Sequence, residues 1–485
     1  MKSSIGKGSN LGLWLLTALV VGNMVGSGIF MLPRSLAQVA GPAGVLSAWL
    51  LTGAGVLMLA LVFGNLAIRK PELSGGVQMY AKSLFRENSQ SSTLAGYIVA
   101  WGYWAANVAG NVAILTTFVS YLSTFFPIMT SSANLFTIAN YPVKVGSFIS
   151  FLVCSALLWL THSLILRGIE ETGKMNFVAT AAKVIGFLIF ICFTLFAFEK
   201  SNMLPLIQPR LDSNGVHVGL LGQINNAAVT TLWAFVGIES AIMFSARAKN
   251  QKDVKRATVL GLIISVIIYI GITLLVMGSL NQHELVNADK PLVDALMKVV
   301  GPSASYVMAG FDLVSLAGTT IGWIFLSAEA PHQAAKQGLF PPVFGKANRK
   351  GVPVWALTIT NSLSQLFIFS VISNTINNAF NFVMLVATLS YLVPYAVSAI
   401  YQLKLVISGE TYENGKGRVT DGIIAALGTL YSLWVIKAGT SDMKTFLFGV
   451  GMLVVGLILY PFVRKRRDRV SSQQTHVNGV LREQG

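Results

Sequence analysis

Twelve stretches of the chain stay apolar long enough to cross about 30 Å of hydrocarbon, a length that takes roughly 20 helical residues. They run 12–38, 43–68, 94–125, 145–166, 175–198, 224–246, 257–280, 302–335, 353–373, 379–404, 419–437 and 443–463. Polar and charged positions gather between them. This pattern predicts an all-α membrane protein with 12 transmembrane helices and divides the chain into four parts. These are a short N-terminus (1–11), a transport core (12–404), two additional spans (419–463) and a basic tail (464–485). Lys2 and Lys7 precede the first run as in a signal peptide, but the run continues through Arg34 and ends in no small-residue cleavage pattern. It is therefore expected to be the first span.

The run starts repeat. Runs one to five begin near 12, 43, 94, 145 and 175, and runs six to ten begin near 224, 257, 302, 353 and 379. An odd number of spans per copy turns the second copy upside down, so repeats of about 12–200 and 224–404 are expected to be inverted halves. The first run of each half is also interrupted. Gly22-Asn23-Met24-Val25-Gly26-Ser27-Gly28 places three glycines at mid-depth, each costing about 1 kcal/mol relative to alanine in a helix. Trp233-Ala234-Phe235-Val236-Gly237-Ile238-Glu239 occupies the matching place in run six. Backbone freed at such breaks must be satisfied by protein, water or ligand, because hydrocarbon offers no partner. Paired broken helices in inverted halves point to a substrate site near the midplane, whereas packing of close helices would explain Gly22 and Gly26 alone.

Composition agrees. Of 485 residues, 54% are hydrophobic and only 11% charged, against about 25% charged in soluble domains. The net charge of +16 would suit nucleic acid in a soluble protein. Here, with both termini cytoplasmic, 26 of the 35 Lys and Arg fall on the cytoplasmic side, eight fall outside and Lys183 lies within a span. The basic charge therefore sets topology, nucleic acid is excluded as a partner, and the cluster Arg464 to Arg467 with Arg469 is expected to anchor the end of the last span beside membrane lipid. Cys154 and Cys192 both fall in apolar runs. No C-x-x-C, metal-ligand spacing or clustered histidine appears, so no cofactor or metal is expected.

The chemistry available is that of exposed main chain. The second half of run one starts near Ser27, and its free N–H groups suit a carboxylate at the Gly28 amide and the Ser27 hydroxyl. Carbonyls near Met24, Trp233 and Val236 suit an ammonium, so a zwitterion fits both ends. Lys183, Glu239 and Glu329 lie inside spans, with Asp312 in the outer half of run eight. Each is costly there by about 2.5–3.5 kcal/mol and is a functional candidate by default. Lys183 could brace the broken run one as a fixed positive charge, exchange protons, or only pair with Glu239 or Glu329. Trp233 and Trp323 lie mid-run, where an indole can be packing or a face for a cationic side chain. Tyr103, Asn107 and Asn111 sit on run three, the two asparagines one helical turn apart.

At these residues the chain resembles the amino acid–polyamine–organocation superfamily and, within it, the bacterial basic amino-acid/polyamine antiporters. The resemblance extends from Gly12 to about Phe462 and is most specific at GNMVGSGIF (22–30), LWAFVGIES (232–240), GW (322–323) and GLFPPVF (338–344). It implies the leucine-transporter fold, five plus five inverted spans with two more, alternating access, a cell-membrane location and a homodimer. It also implies that Ser27 and Gly28 hold the substrate carboxylate, that Met24, Trp233 and Val236 take the amino group, and that Asn23 supports the unwound segment. Trp323 would stack on the side chain, with Ala106, Asn107 and Asn111 at its distal end. Tyr103 and Trp233 resemble gates, Glu239 the glutamate of the intracellular route, and Lys183 the fifth-span lysine found where sodium-coupled relatives bind sodium. Asn107, Lys183 and Glu329 differ from the arginine/agmatine antiporters and lean toward arginine/ornithine or lysine exchange.

The expected function is secondary exchange of cationic amino acids. A proton-coupled symporter using Lys183 is the alternative. A sensor or membrane enzyme ranks below both, because no signalling domain, nucleotide motif or nucleophile–base arrangement is found in the sequence.

Overall fold

The computed structural model describes residues 12–463 apart from 74, 75, 88, 139, 140, 212–214, 244, 246, 247, 370, 372–375, 414, 441, 442, 445 and 462. The N-terminal segment and the basic tail lie outside the described residues. The chain is mostly helical: α1 (Leu13–Met24), α2 (Gly28–Val39), α3 (Pro42–Arg69), α4 (Val77–Ser83), α5 (Gln90–Leu122), α6 (Val145–Leu166), α7 (Ile169–Phe196), α8 (Leu220–Trp233), α9 (Ser240–Met243), α10 (Gln251–Ser279), α11 (Gln282–Asn287), α12 (Pro291–Val300), α13 (Pro302–Lys336), α14 (Val354–Ile368), α15 (Ile376–Ser408), α16 (Arg418–Gly439) and α17 (Phe446–Pro461). Among the described residues, seven helices are long and apolar enough to cross a membrane, and the bent pair α1–α2 makes an eighth crossing if counted as one span. Those seven helices make the chain a multi-pass membrane protein. Ala181–Phe196, α14 and α17 are shorter apolar helices.

Two small antiparallel hairpins interrupt the helical pattern, β1 (Asn134–Ile138) with β2 (Tyr141–Lys144) and β3 (Arg210–Leu211) with β4 (His217–Val218). They lie in connections between spans, where the backbone can pair with itself. Leu135 and Phe136 of β1 are exposed.

Buried hydroxyls inside the helices mostly satisfy themselves. Thr17, Thr117, Thr258, Thr319 and Ser398 each donate to the carbonyl four residues back, which leaves no polar group for lipid to meet. Other polar groups join helices, as where the Thr52 and Thr231 hydroxyls meet at 2.7 Å between α3 and α8. Gln223 clasps the entry to α3: its Oε1 accepts from the Gly41 amide at 2.8 Å, and its Nε2 donates to the carbonyls of Gln208 and Val218.

Both breaks are built locally. Val25 leaves the helix at φ −77°, ψ 68°, and α2 resumes at Gly28 with the pair bent by 45°. After Trp233 the chain tightens into i→i+3 bonds, Phe235 N–H to Leu232 O and Val236 N–H to Trp233 O, and then turns at Gly237 with φ +105°. That conformation suits glycine, and so does the space: a β carbon on Gly237 would lie 3.1 Å from the Asn23 carbonyl carbon. The Asn23 amide donates to the Ser240 hydroxyl at 2.7 Å, so the two interruptions are fastened to each other.

A polar cluster ties the later helices to α3. Asp421 on α16 accepts from Asn65 Nδ2 (2.9 Å), Arg69 Nε (2.7 Å) and the Tyr412 hydroxyl (2.9 Å), while Lys255 Nζ donates to Asn65 Oδ1 at 2.6 Å. The Arg69 guanidinium also lies 3.6 Å over the Tyr412 ring. Removing the carboxylate would strand three donors at once. Asp421→Ala is expected to destabilise the protein by about 2–3 kcal/mol, short of the full penalty for a wholly buried partner because Arg69 keeps 19% of its side-chain surface. Thermal unfolding in detergent, followed by tryptophan fluorescence, measures this; an unshifted midpoint would mean that the cluster contributes nothing to stability.

Candidate functional site

Where the two interruptions meet, they leave a small cavity between them. Asn23, Met24, Gly26, Ser27 and Gly28 line it from the first break, Trp233 and Val236 from the second, Gly110 and Ile114 from α5, and Trp323 from α13. None of these side chains is charged. The Trp233 indole spans from α2 to α5: β carbons on Gly28 and Gly110 would stand 3.3 and 3.2 Å from its ring atoms. Both glycines thus make room for it. The Trp323 ring nitrogen lies 3.7 Å from the equivalent point on Gly26, so the second indole faces the first break from the opposite helix.

Part of the freed main chain already has a protein partner. The Met24 carbonyl accepts from the Tyr269 hydroxyl at 2.9 Å, and Tyr269 in turn stacks on Trp49. The Val25 carbonyl accepts from Lys183 Nζ at 2.5 Å. Lys183 therefore reaches from α7 to the break itself, and no ion pair among the described residues involves Lys183, Glu239 or Glu329.

Glu239 stands directly behind the second break and is 1% exposed. Its Oε2 takes the Gly237 amide at 3.1 Å and the Tyr395 hydroxyl at 2.6 Å, and its Oε1 takes the Tyr103 hydroxyl at 2.9 Å. Three donors offset the cost of placing a carboxylate at this depth. They also connect the turn to α5 and α15. Tyr103 continues the network, because Asn107 Nδ2 donates to its carbonyl at 2.9 Å while Asn107 Oδ1 accepts from Tyr391 at 2.6 Å.

Of the residues singled out in the sequence, Asn23, Met24, Ser27, Gly28, Trp233, Val236 and Trp323 line the cavity together. Tyr103, Ala106, Asn107 and Asn111 do not line it. Ala106 is fully buried, and Asn107 is committed to the tyrosine network. Asn111 donates to the Ser327 hydroxyl at 2.9 Å, one turn from Trp323, and its Oδ1 has no partner. Glu329 is half-buried and accepts from Gln333, away from the cavity. Sequence reasoning passed over Gly110, Ile114, Tyr269, Tyr391 and Tyr395. The last two carried a usable signal, since two tyrosines four residues apart in the middle of an apolar run share one helix face.

Known proteins share this arrangement at the level of sequence. A family model described as "Amino acid permease" matches residues 11–458. A Bacillus subtilis (strain 168) protein provisionally assigned as an arginine/ornithine antiporter is 54% identical over 456 residues, covering 94% of this chain and 97% of its own. An arginine/ornithine antiporter of Pseudomonas aeruginosa is 37% identical, covering 93% and 90%, and an arginine/agmatine antiporter of Chlamydia pneumoniae is 31% identical, covering 97% and 94%. With a match along nearly the whole chain, two interrupted helices apposed in an apolar bundle and an uncharged cavity between them, the chain belongs to the amino acid permease family.

Proposed function

We propose that this protein is a secondary transporter that exchanges cationic amino acids, arginine for ornithine or a lysine-type pair, by alternating access in the cell membrane. It has twelve spans in the leucine-transporter fold, inverted halves at about 12–200 and 224–404, and both termini in the cytoplasm. The names of the relatives support the substrate class. The observation that carries the reading is the cavity between the two interrupted helices.

An α-amino acid presents a carboxylate and an ammonium on one carbon. The Gly28 end of α2 is an N-terminus with free amides beside the Ser27 hydroxyl and suits the carboxylate. The turn after α8 leaves the Val236 carbonyl for the ammonium, with the Trp233 carbonyl, which also accepts from the Val236 amide, and the Met24 carbonyl, which Tyr269 already holds, beside it. Asn23 holds the unwound segment in register through Ser240. For the side chain, the lining supplies indoles and no carboxylate. A guanidinium or amine would be recognised by stacking on Trp323, a contact worth about 2 kcal/mol or more once desolvated. Asn111, with its free Oδ1, stands beyond Trp323 for the distal end, and Ala106 and Asn107 shape that wall. Tyr103 and Trp233 act as gates. Glu239, on the intracellular route, couples the turn at Gly237 to α5 and α15, Lys183 braces the first break through Val25, and Glu329 is the third coupling or gating residue.

Exchange has a distinct signature. In proteoliposomes, labelled arginine should enter only when arginine or ornithine is inside, and an imposed pH gradient alone should drive none; uptake into amino-acid-free vesicles on a pH gradient would make the protein a symporter. Trp323→Leu should weaken arginine binding by at least about tenfold while Ser27→Ala leaves the ranking of arginine, ornithine, lysine and histidine intact. Binding titration of the purified variants measures both, and wild-type affinity in Trp323→Leu would remove that indole from the site.

A further inference from the structure

Lys183 holds the Val25 carbonyl, and on the transport reading above it can do so in only part of the cycle. Alternating access moves the broken α1–α2 element against the helices around it. When that element moves away, the ammonium loses its carbonyl at a depth where an unpaired charge is costly. A second partner is then required.

Such a partner stands one turn along the same face. Gly186 follows Lys183 by three residues on α7, a spacing that makes the two neighbours at roughly 5–6 Å. Gly186 packs on α13 beside Asp312: a β carbon there would lie 3.6 Å from Asp312 Oδ1, 3.3 Å from Phe311 Cβ and 3.8 Å from Met308 Sδ. Asp312 is 2% exposed, and its Oδ2 has no hydrogen-bond partner. Buried carboxyl groups are otherwise paired, and each exception calls for a cause. Phe311 and Met308 offer it nothing, and Tyr121, within electrostatic range from α5, gives its hydroxyl to the Phe30 carbonyl at 2.9 Å. Gly186 puts no side chain beside Asp312, and a lysine stem has four flexible carbons with which to reach along the helix face.

We infer that Asp312 is a positioning residue for exchange that receives the Lys183 ammonium when the first break moves away, so that the lysine alternates between the Val25 carbonyl and the Asp312 carboxylate. Asp312 touches no substrate. The pairing leaves arginine binding in the state seen here unaffected and lowers the cost of leaving that state.

The test compares Asp312→Asn, Asp312→Glu, Lys183→Gln and the double variant Asp312→Asn with Lys183→Gln. Arginine binding is titrated on purified protein, and arginine–arginine exchange is timed in loaded proteoliposomes. Asp312→Asn should bind arginine within about twofold of wild type but exchange at least about tenfold more slowly. Asp312→Glu should recover part of the rate. The double variant should be no slower than Lys183→Gln, because the interaction is already lost. Exchange by Asp312→Asn at the wild-type rate, or slowing that multiplies in full with that of Lys183→Gln, overturns the inference. If Asp312→Asn does not yield folded protein, Gly186→Val blocks the same path; slow exchange with intact binding is expected, and wild-type exchange overturns the pairing. Normal exchange by Lys183→Gln would overturn both the pairing and the bracing role of Lys183, whereas slow Lys183→Gln with normal Asp312→Asn would overturn the pairing alone.

Discussion

Main-chain N–H and C=O groups released inside an apolar bundle have no solvent to turn to, and the centre of this protein is organised around that fact. An intact helix satisfies its own backbone, whereas α1–α2 and α8–α9 give up several bonds each at mid-sequence. The surrounding side chains take back a defined share. Tyr269 and Lys183 take the carbonyls of Met24 and Val25, Glu239 takes the Gly237 amide, and Asn23 reaches across to Ser240. What is left over faces a cavity between two tryptophans. The proposed occupant, an α-amino acid, would bring one carboxylate and one ammonium to those groups.

The same economy explains where the ionisable residues sit. Glu239 is surrounded by donors on three sides, and Lys183 is spent on one carbonyl. Neither lines the cavity, whose walls include two indoles and no charged side chain. Further out, Arg69, Tyr412, Asn65 and Asp421 form a separate polar knot that fastens α16 to α3. None of these residues lines the cavity.

Much of this was legible in the sequence because its cause is local. Three glycines within seven residues weaken a helix at that point, and the helix breaks between Met24 and Gly28. Gly237 beside Glu239 marked the second turn for the same reason. Less legible were interactions whose partners are far apart in the chain. Asn107 and Asn111 share a helix face, but which way that face turns depends on α13 and α15; Asn107 is drawn to Tyr391, and Gly110 and Ile114 line the cavity instead. The partner of Lys183 proved to be a carbonyl, which no side-chain pattern can announce. Hairpins between spans were missed because a hydropathy window long enough to detect a helix averages over strands of two to five residues.

On the proposed reading, uncapped backbone at two helix ends recognises the two charged groups of an α-amino acid at once. Competition against labelled arginine by Nα-acetyl-arginine and by arginine amide, each blocking one of those groups and leaving the guanidinium intact, tests it most directly. Each analogue should compete at least about tenfold more weakly than free arginine, as expected when a charge-assisted bond is lost at a desolvated site. Competition by both analogues at the strength of arginine itself would contradict it.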